Sequence, residues 1–192
     1  RIFDKSQGYA LETGLVHPSQ LSLEEQERIY ALGEKVARTI GVNIGAAKFD
    51  IIYTQSGPKV IEMTVRLSGG FDAQYLVPAA TGKNILKAAI LTARGEIFDA
   101  RLLADSKGKV ALSESIWPNP GTIVDISGLD KAINLPGFEH IFFRYGVGDV
   151  VEPFTDCTKR VCFIIASGHT LLEATNNMLA IKEAINIVIK QV

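Results

Sequence analysis

Cysteine is scarce in this chain: Cys157 and Cys162 are the only two among 192 residues. Two thiols cannot make a metal-ligand quartet or a disulfide framework, so free thiols in a reducing cytoplasm are expected. An excess of one charge is also lacking. Lys plus Arg number 20 against 21 Asp plus Glu, a net charge of -1, which offers nucleic acid or an anionic membrane no electrostatic hold. No apolar run approaches the roughly 20 residues of a membrane-spanning helix, and the most apolar stretch, 161–166, has the length of a strand. A phosphate loop of the form Gly-x-x-x-x-Gly-Lys-Ser/Thr is missing too, because Gly82-Lys83 has neither the first glycine nor the hydroxyl residue.

What is present is a globular composition, 47% hydrophobic, on a chain long enough for one sizeable core or two small ones. Residues 1–21 read as an irregular lead-in, broken by Gly8, Gly14 and Pro18. Ser22-Leu23-Glu24-Glu25 is a capping box that opens a helix whose inward face is Leu23, Ile29, Leu32, Val36 and Ile40, with Gly41 to close it. The same spacing predicts a helix over 83–94, ended by Gly95. Short strands are predicted around 97–103, 109–116, 121–126, 138–145 and 161–167. Thr170-Leu171-Leu172-Glu173 is a second capping box, opening a helix expected to run to about Lys190.

The densest chemistry lies in residues 46–72. Residues 46–54 read as a strand, Gln55-Ser56-Gly57-Pro58 as a turn, and 59–65 as a second strand. Side chains alternate along a strand, so Asp50 shares a face with Ile52, and Glu62 shares one with Val60 and Thr64. Antiparallel pairing can bring the two carboxylates opposite each other, where they repel unless a cation lies between them. Magnesium takes oxygen ligands and usually only one or two carboxylates, completed by substrate phosphates. Arg66 has a planar fork suited to a phosphate or carboxylate oxygen, and Gly69 with Gly70 lets backbone approach a ligand. The same acids are also compatible with an exposed hairpin whose carboxylates are merely solvated.

This string resembles the magnesium-binding hairpin of the ATP-grasp superfamily, whose members join a carboxylate to an amine, thiol or similar nucleophile through an acyl phosphate. There the second carboxylate opens a Glu-x-Asn-x-Arg run; here it is Glu62-Met63-Thr64-Val65-Arg66, with a threonine hydroxyl, a weaker metal ligand, where asparagine is usual. The likeness continues through Val77-Pro78-Ala79-Ala80-Thr81-Gly82-Lys83-Asn84-Ile85-Leu86-Lys87 and Ala93-Arg94-Gly95, similar to biotin carboxylases and amino-acid ligases. Pro118-Asn119-Pro120-Gly121, Val147-Gly148-Asp149-Val150-Val151 and the stretch 166–189 follow the order of the biotin carboxylase C-terminal domain.

The resemblance implies an α+β fold, with the C-terminal lobe of an ATP-grasp domain (an antiparallel sheet with helices) over 1–95. A biotin carboxylase C-terminal-like, β-rich subdomain closed by a long helix follows over 96–192. It implies magnesium, or manganese in its place, on Asp50 and Glu62. Glu62, Ser68, Gly69 and Gly70 would meet ATP, and Arg66 would steady the transferred phosphoryl group. The implied partners are a small carboxylate substrate and an amine acceptor, in a cytoplasmic homodimer. Carboxylase and carbamoyl phosphate synthase relatives stay open as variants. With no initiator methionine at Arg1 and no apolar signal core beside Asp4 and Lys5, the sequence reads as the interior of a longer protein, and the resemblance implies that the lobe carrying the adenine pocket precedes Arg1.

A noncatalytic binding or oligomerisation module built on the same fold is the competing expectation. The three histidines have plainer roles: His17 precedes a proline, His140 lies in a strand, and His169 sits at a helix start. Of Arg144 and Arg160, Arg144 is the better candidate to reach a substrate. Gly146-Val147-Gly148 is read as a turn, and Ser68 as either a substrate contact or part of a flexible turn.

Overall fold

The computed structural model describes every residue except Gln7, Tyr9 and Val192. In chain order the elements are β1 (Ile2–Asp4), β2 (Leu11–His17), α1 (Leu23–Thr39), β3 (Lys48–Thr54), β4 (Gly57–Thr64), α2 (Val77–Thr81) and α3 (Ile85–Ala93). They continue with β5 (Val110–Ile116), β6 (Gly121–Ser127), α4 (Leu129–Ala132), β7 (Phe138–Phe143), β8 (Val150–Val151), β9 (Cys162–Gly168), α5 (Leu171–Ala184) and β10 (Asn186–Lys190). All strand pairs are antiparallel. The fold is a mixture of helix and antiparallel sheet, as expected.

Local chemistry explains most boundaries. Helix α1 begins where the capping box places it: Ser22 Oγ accepts from Glu25 N at 3.3 Å, and Glu25 Oε2 accepts from Ser22 N at 2.8 Å. Helix α5 is capped by Thr170 Oγ1, which accepts from Glu173 N at 3.1 Å, but the returning arm reaches one residue further back. Glu173 Oε2 accepts from His169 N at 2.8 Å.

Three expectations are corrected. The stretch read as an irregular lead-in contains β1 and β2, although Gln7 and Tyr9 within it lie outside the described residues. Residues 97–103 hold no strand; a 3-10 turn over Ala100–Leu103 is opened by the Asp99 carboxylate, which accepts from Arg101 N at 2.9 Å. The last helix stops at Ala184, and its expected final turns are strand β10.

The chain falls into two compact units. One comprises Arg1–Pro18, Tyr75–Thr81 and Lys107–Val192; the other comprises Ser19–Gln74 and Gly82–Ser106. The boundary expected near residue 95 lies inside the second of these.

The first, a sheet unit, holds a five-stranded sheet in the order β1-β2-β5-β9-β7 and a three-stranded sheet in the order β10-β6-β8. Strand β9 is buried along its whole length and carries core on both faces. On one face Cys162, Ile164 and Ala166 meet Ala174, Met178 and Ile181 of α5, together with Leu112 and Ile185. On the other, Phe163 and Ile165 join Leu76, Ala79, Ala80 and Ala111. A third cluster, Ile123, Val151 and Val161, seats the small sheet. Each fully buried side chain of this size contributes roughly 1.5–3 kcal/mol of hydrophobic stabilisation.

The second, a hairpin unit, holds α1, the β3-β4 hairpin and α3. Helix α1 packs on β4, and its small Gly33 faces the Phe49 ring of β3.

Candidate functional site

The β3-β4 hairpin turns on Gln55 and Ser56, with Thr54 paired to Gly57. The Thr54 hydroxyl donates to Gly57 O at 2.8 Å and so closes the turn. Gly57 has φ +99, a conformation that favours glycine, while the Arg28 guanidinium that a Cβ would meet at 2.9 Å is the end of a flexible side chain.

From the turn the register runs Tyr53 to Pro58, Ile52 to Lys59 and Ile51 to Val60, and then shifts. Beyond the shift Asp50 stands opposite Glu62, and Lys48 opposite Thr64. The extra residue is Ile61, a β-bulge of the kind that redirects neighbouring side chains. Asp50 and Glu62 are therefore paired through the bulge, since the register set at the turn would have placed Asp50 opposite Ile61. Val60 is not in their row, because the bulge pairs it with Ile51 instead.

One residue of the row went unread in the sequence. Lys48 lies two positions before Asp50 and hence on its face. Its ammonium is hydrogen bonded to Asp50 Oδ2 at 2.5 Å and lies 3.8 Å from Glu62 Oε1. The Lys48 and Asp50 side chains are only 16% and 21% exposed, whereas Glu62 is 55% exposed. A single positive charge thus sits between two facing carboxylates and offsets part of their repulsion. The period-two rule that linked Asp50 to its strand neighbours was the signal that could have found it.

Thr64 closes the row. Its Oγ1 is buried and hydrogen bonded to no described residue, a state that costs about 1–3 kcal/mol for a hydroxyl. Arg66, just past β4, is exposed, and its Nη1 donates to Leu67 O at 2.9 Å. Among the described residues its guanidinium pairs with no carboxylate.

Ser68, Gly69 and Gly70 follow in a turn where Gly69 O accepts from Asp72 N at 3.2 Å. Gly70 and Phe71 both have positive φ, +64 and +63. That conformation is ordinary for glycine and strained for a bulky aromatic, and such strain gathers at functional loops. A Cβ on Gly70 would meet nothing within 4 Å, so the backbone there is open to approach.

The donor set fits a hard cation. Two carboxylates oppose each other around a point already taken by an ammonium, and a buried hydroxyl without a partner lies next in the row. Among the described residues no three His, Cys, Asp or Glu side chains converge. A cation here would take at most these two carboxylates from this hairpin and the rest of its shell from substrate or water, the usual arrangement for magnesium. The hairpin unit also has an apolar cavity of about 490 Å³ lined by Ala46, Ala47, Leu67, Ala88 and Phe98 among others; neither Asp50 nor Glu62 lines it.

The remaining candidates are locally occupied. His140 meets Tyr75 edge-on with ring centres 4.3 Å apart, and His169 serves at the start of α5 through its backbone. Arg144 lies over the Tyr145 ring at 6.0 Å. Arg160 lies over Phe163 at 5.1 Å and donates to Cys157 O. Gly146 N–H donates to Asp149 Oδ2 at 2.7 Å, which makes its segment a turn.

Residues 115–190 match the family described as L-amino acid ligase C-terminal domain 2. Dapdiamide A synthase of Enterobacter agglomerans is 27% identical over 156 residues, which are 79% of this chain and 35% of that protein. The crystal structure of L-amino acid ligase from Bacillus licheniformis superposes with a TM-score of 0.80 at 20% identity, covering 95% of this chain and 45% of that one. The biotin carboxylase domain dimer of the Hydrogenobacter thermophilus 2-oxoglutarate carboxylase, solved with magnesium ADP and bicarbonate, gives 0.67 at 21% identity, covering 93% and 40%. The chain spans about a third of the length of the curated relatives it matches.

Proposed function

We propose that this chain, built as the C-terminal part of an ATP-grasp ligase, contributes the metal and phosphate half of a site that activates a small carboxylate with ATP and passes it to an amine. The observation that carries this reading is the register of Asp50 against Glu62 on one hairpin, with Arg66 immediately beyond it.

The residues have distinct roles. Asp50 and Glu62 would hold magnesium or manganese. The ion, when bound, neutralises phosphate charge and fixes the nucleotide in line, which is most of what phosphoryl transfer requires. Arg66, exposed and among the described residues paired with no carboxylate, would bring a fork to where charge grows on the transferred phosphoryl group. The open backbone at Gly69 and Gly70, with Ser68 beside it, lets main-chain N–H groups come close to phosphate oxygens. The acceptor amine would then displace phosphate from the acyl phosphate to give an amide. Magnesium ADP in the Hydrogenobacter thermophilus structure and the ligase names of the other relatives support this reading. Homodimerisation, as in the dimer of the Hydrogenobacter thermophilus biotin carboxylase domain, and a cytoplasmic setting belong to the same proposal. Among the described residues no helix is long and apolar enough to cross a membrane.

A second reading has one observation in its favour. Because the Lys48 ammonium already lies between the carboxylates, the hairpin is also suited to a noncatalytic module whose metal position is filled by the protein itself. The deciding experiment is ATP turnover by the complete protein carrying Asp50→Asn or Glu62→Gln. Loss of about a hundredfold or more in kcat is expected, the size seen when one charge-stabilising group is removed. Undiminished turnover in both variants would favour the noncatalytic module.

A further inference from the structure

We infer that Lys48 is a resident counter-cation for the Asp50–Glu62 pair, one that a divalent ion must displace and that therefore sets the threshold of metal binding. This rests on the reading of that pair as a metal site.

The argument begins with charge. Two carboxylates placed directly opposite on an antiparallel pair repel each other, and Asp50 is largely shielded from the water that would otherwise screen it. Without a cation the row carries two negative charges; with the Lys48 ammonium it carries one. The hydrogen bond to Asp50 Oδ2 at 2.5 Å occupies one of the two Asp50 oxygens, and the 3.8 Å approach to Glu62 Oε1 puts the ammonium in the gap between the acids. Ammonium and metal cannot both occupy that gap. A lysine has four flexible methylenes and a single point charge, so it can swing away without disturbing the strand. An arginine held by a bidentate fork would not leave so readily.

The row also shows where the freed groups can go. Lys48 stands opposite Thr64, whose buried Oγ1 has no described partner. A hydroxyl in that position is available to the ammonium once it leaves Asp50, or to a water of an incoming ion. Lys48 would thus keep the hairpin charge-balanced while empty and yield to a doubly charged ion. Its role is positional, exerted through Asp50 and Glu62, and it does not touch the reacting atoms.

The test measures manganese binding by the electron paramagnetic resonance signal of the free aquo ion, using this chain without nucleotide. Wild type, Lys48→Met, Lys48→Gln and Lys48→Arg are compared, each also in an Asp50→Asn background, with circular dichroism to verify folding. Removing the charge in Lys48→Met and Lys48→Gln is expected to tighten manganese binding by about tenfold or more, a modest share of the Coulomb term at this range once solvent at Glu62 is allowed for. Lys48→Arg, which keeps the charge, is expected to stay near wild type. Asp50→Asn is expected to abolish the tight site in every background.

If Asp50→Asn abolishes binding while Lys48→Met and Lys48→Gln bind no more tightly than wild type, the counter-cation role is overturned and the metal site stands. If manganese binding is indifferent to Asp50→Asn in all backgrounds, the metal site itself fails and the inference with it.

Discussion

The two cysteines differ sharply in their surroundings. Cys162, at the start of β9, is buried beneath α5, and burial pushes its thiol up to about 12 from an ordinary value of 9.0. The nearby Lys182 ammonium and a backbone hydrogen bond at Ile116 oppose that rise but do not cancel it. The neutral thiol is the form the fold holds, and ionisation favours the unfolded chain. Stability from this group is therefore complete below pH 9 and is lost as pH rises from about 9 toward about 12. Urea midpoints across that range should fall for wild type and fall less steeply for Cys162→Ala. Cys157 is exposed, so a disulfide-exchange reagent at pH 8 should modify one thiol in the folded protein and two after denaturation.

Residues were legible in the sequence to the extent that their partners were close in the chain. Asp50 and Glu62 stood out as acids on two strands joined by a short turn, although the turn register alone would set Asp50 against Ile61 and only the bulge brings Glu62 opposite it. Lys48 did not, since a lysine before a strand acid is ordinary and only its low exposure gives it a role. The bulge at Ile61 also left no mark: nothing in Val60-Ile61-Glu62 distinguishes a bulged valine-isoleucine step from a regular one.

Elements differ from the sequence expectation where two physical readings of one residue compete. Gly14 reads as a breaker in the sequence, yet it lies inside β2, where a Cβ would come 2.1 Å from Ser113 O of the paired strand. Glycine there allows close approach of backbones rather than a turn. At the other end Ile181, Ile185 and Val188 fit a helical stripe, while Ile187-Val188-Ile189 fits a strand. β-branched residues prefer the latter, and Ile185 has already left the helical region, with φ -90 and ψ 122.

Gly128, between β6 and α4, has φ +83, and a Cβ would lie 1.8 Å from Ala184 O at the end of α5. Gly128→Ala combines a left-handed backbone with a collision against main chain that cannot rotate away. It should lower unfolding stability by about 1–3 kcal/mol, measurable as a drop in urea midpoint. Gly95→Ala, at φ +74 with nothing near its Cβ, isolates the backbone component and should cost less.

Across the whole molecule, burial is unevenly shared. The three large apolar clusters belong to the sheet unit, while the hairpin unit leaves Tyr30, Ile44, Ile61 and Ile97 exposed. Local opening free energies follow buried apolar contacts. Native-state hydrogen exchange should therefore find the slowest amides on β5 and β9, with β3 and β4 exchanging at least about ten times faster. Equal protection in the two units would contradict this. Manganese or magnesium bound at Asp50 and Glu62 would slow the hairpin amides selectively, by mass action on the folded form.

Connectivity adds a consequence for handling the protein. The sheet unit is assembled from three separate stretches of chain, and β2, near the amino terminus, finds its neighbour β5 only after the whole hairpin unit has been passed. A recombinant fragment cut at residue 95 would retain β2 without β5 and leave a row of main-chain N–H and C=O groups open on one side. Such a row recruits strands from other molecules, so that fragment is expected to precipitate even if its hairpin is correctly formed. Ribosomal synthesis imposes the same interval, since β2 emerges long before the strand that covers it.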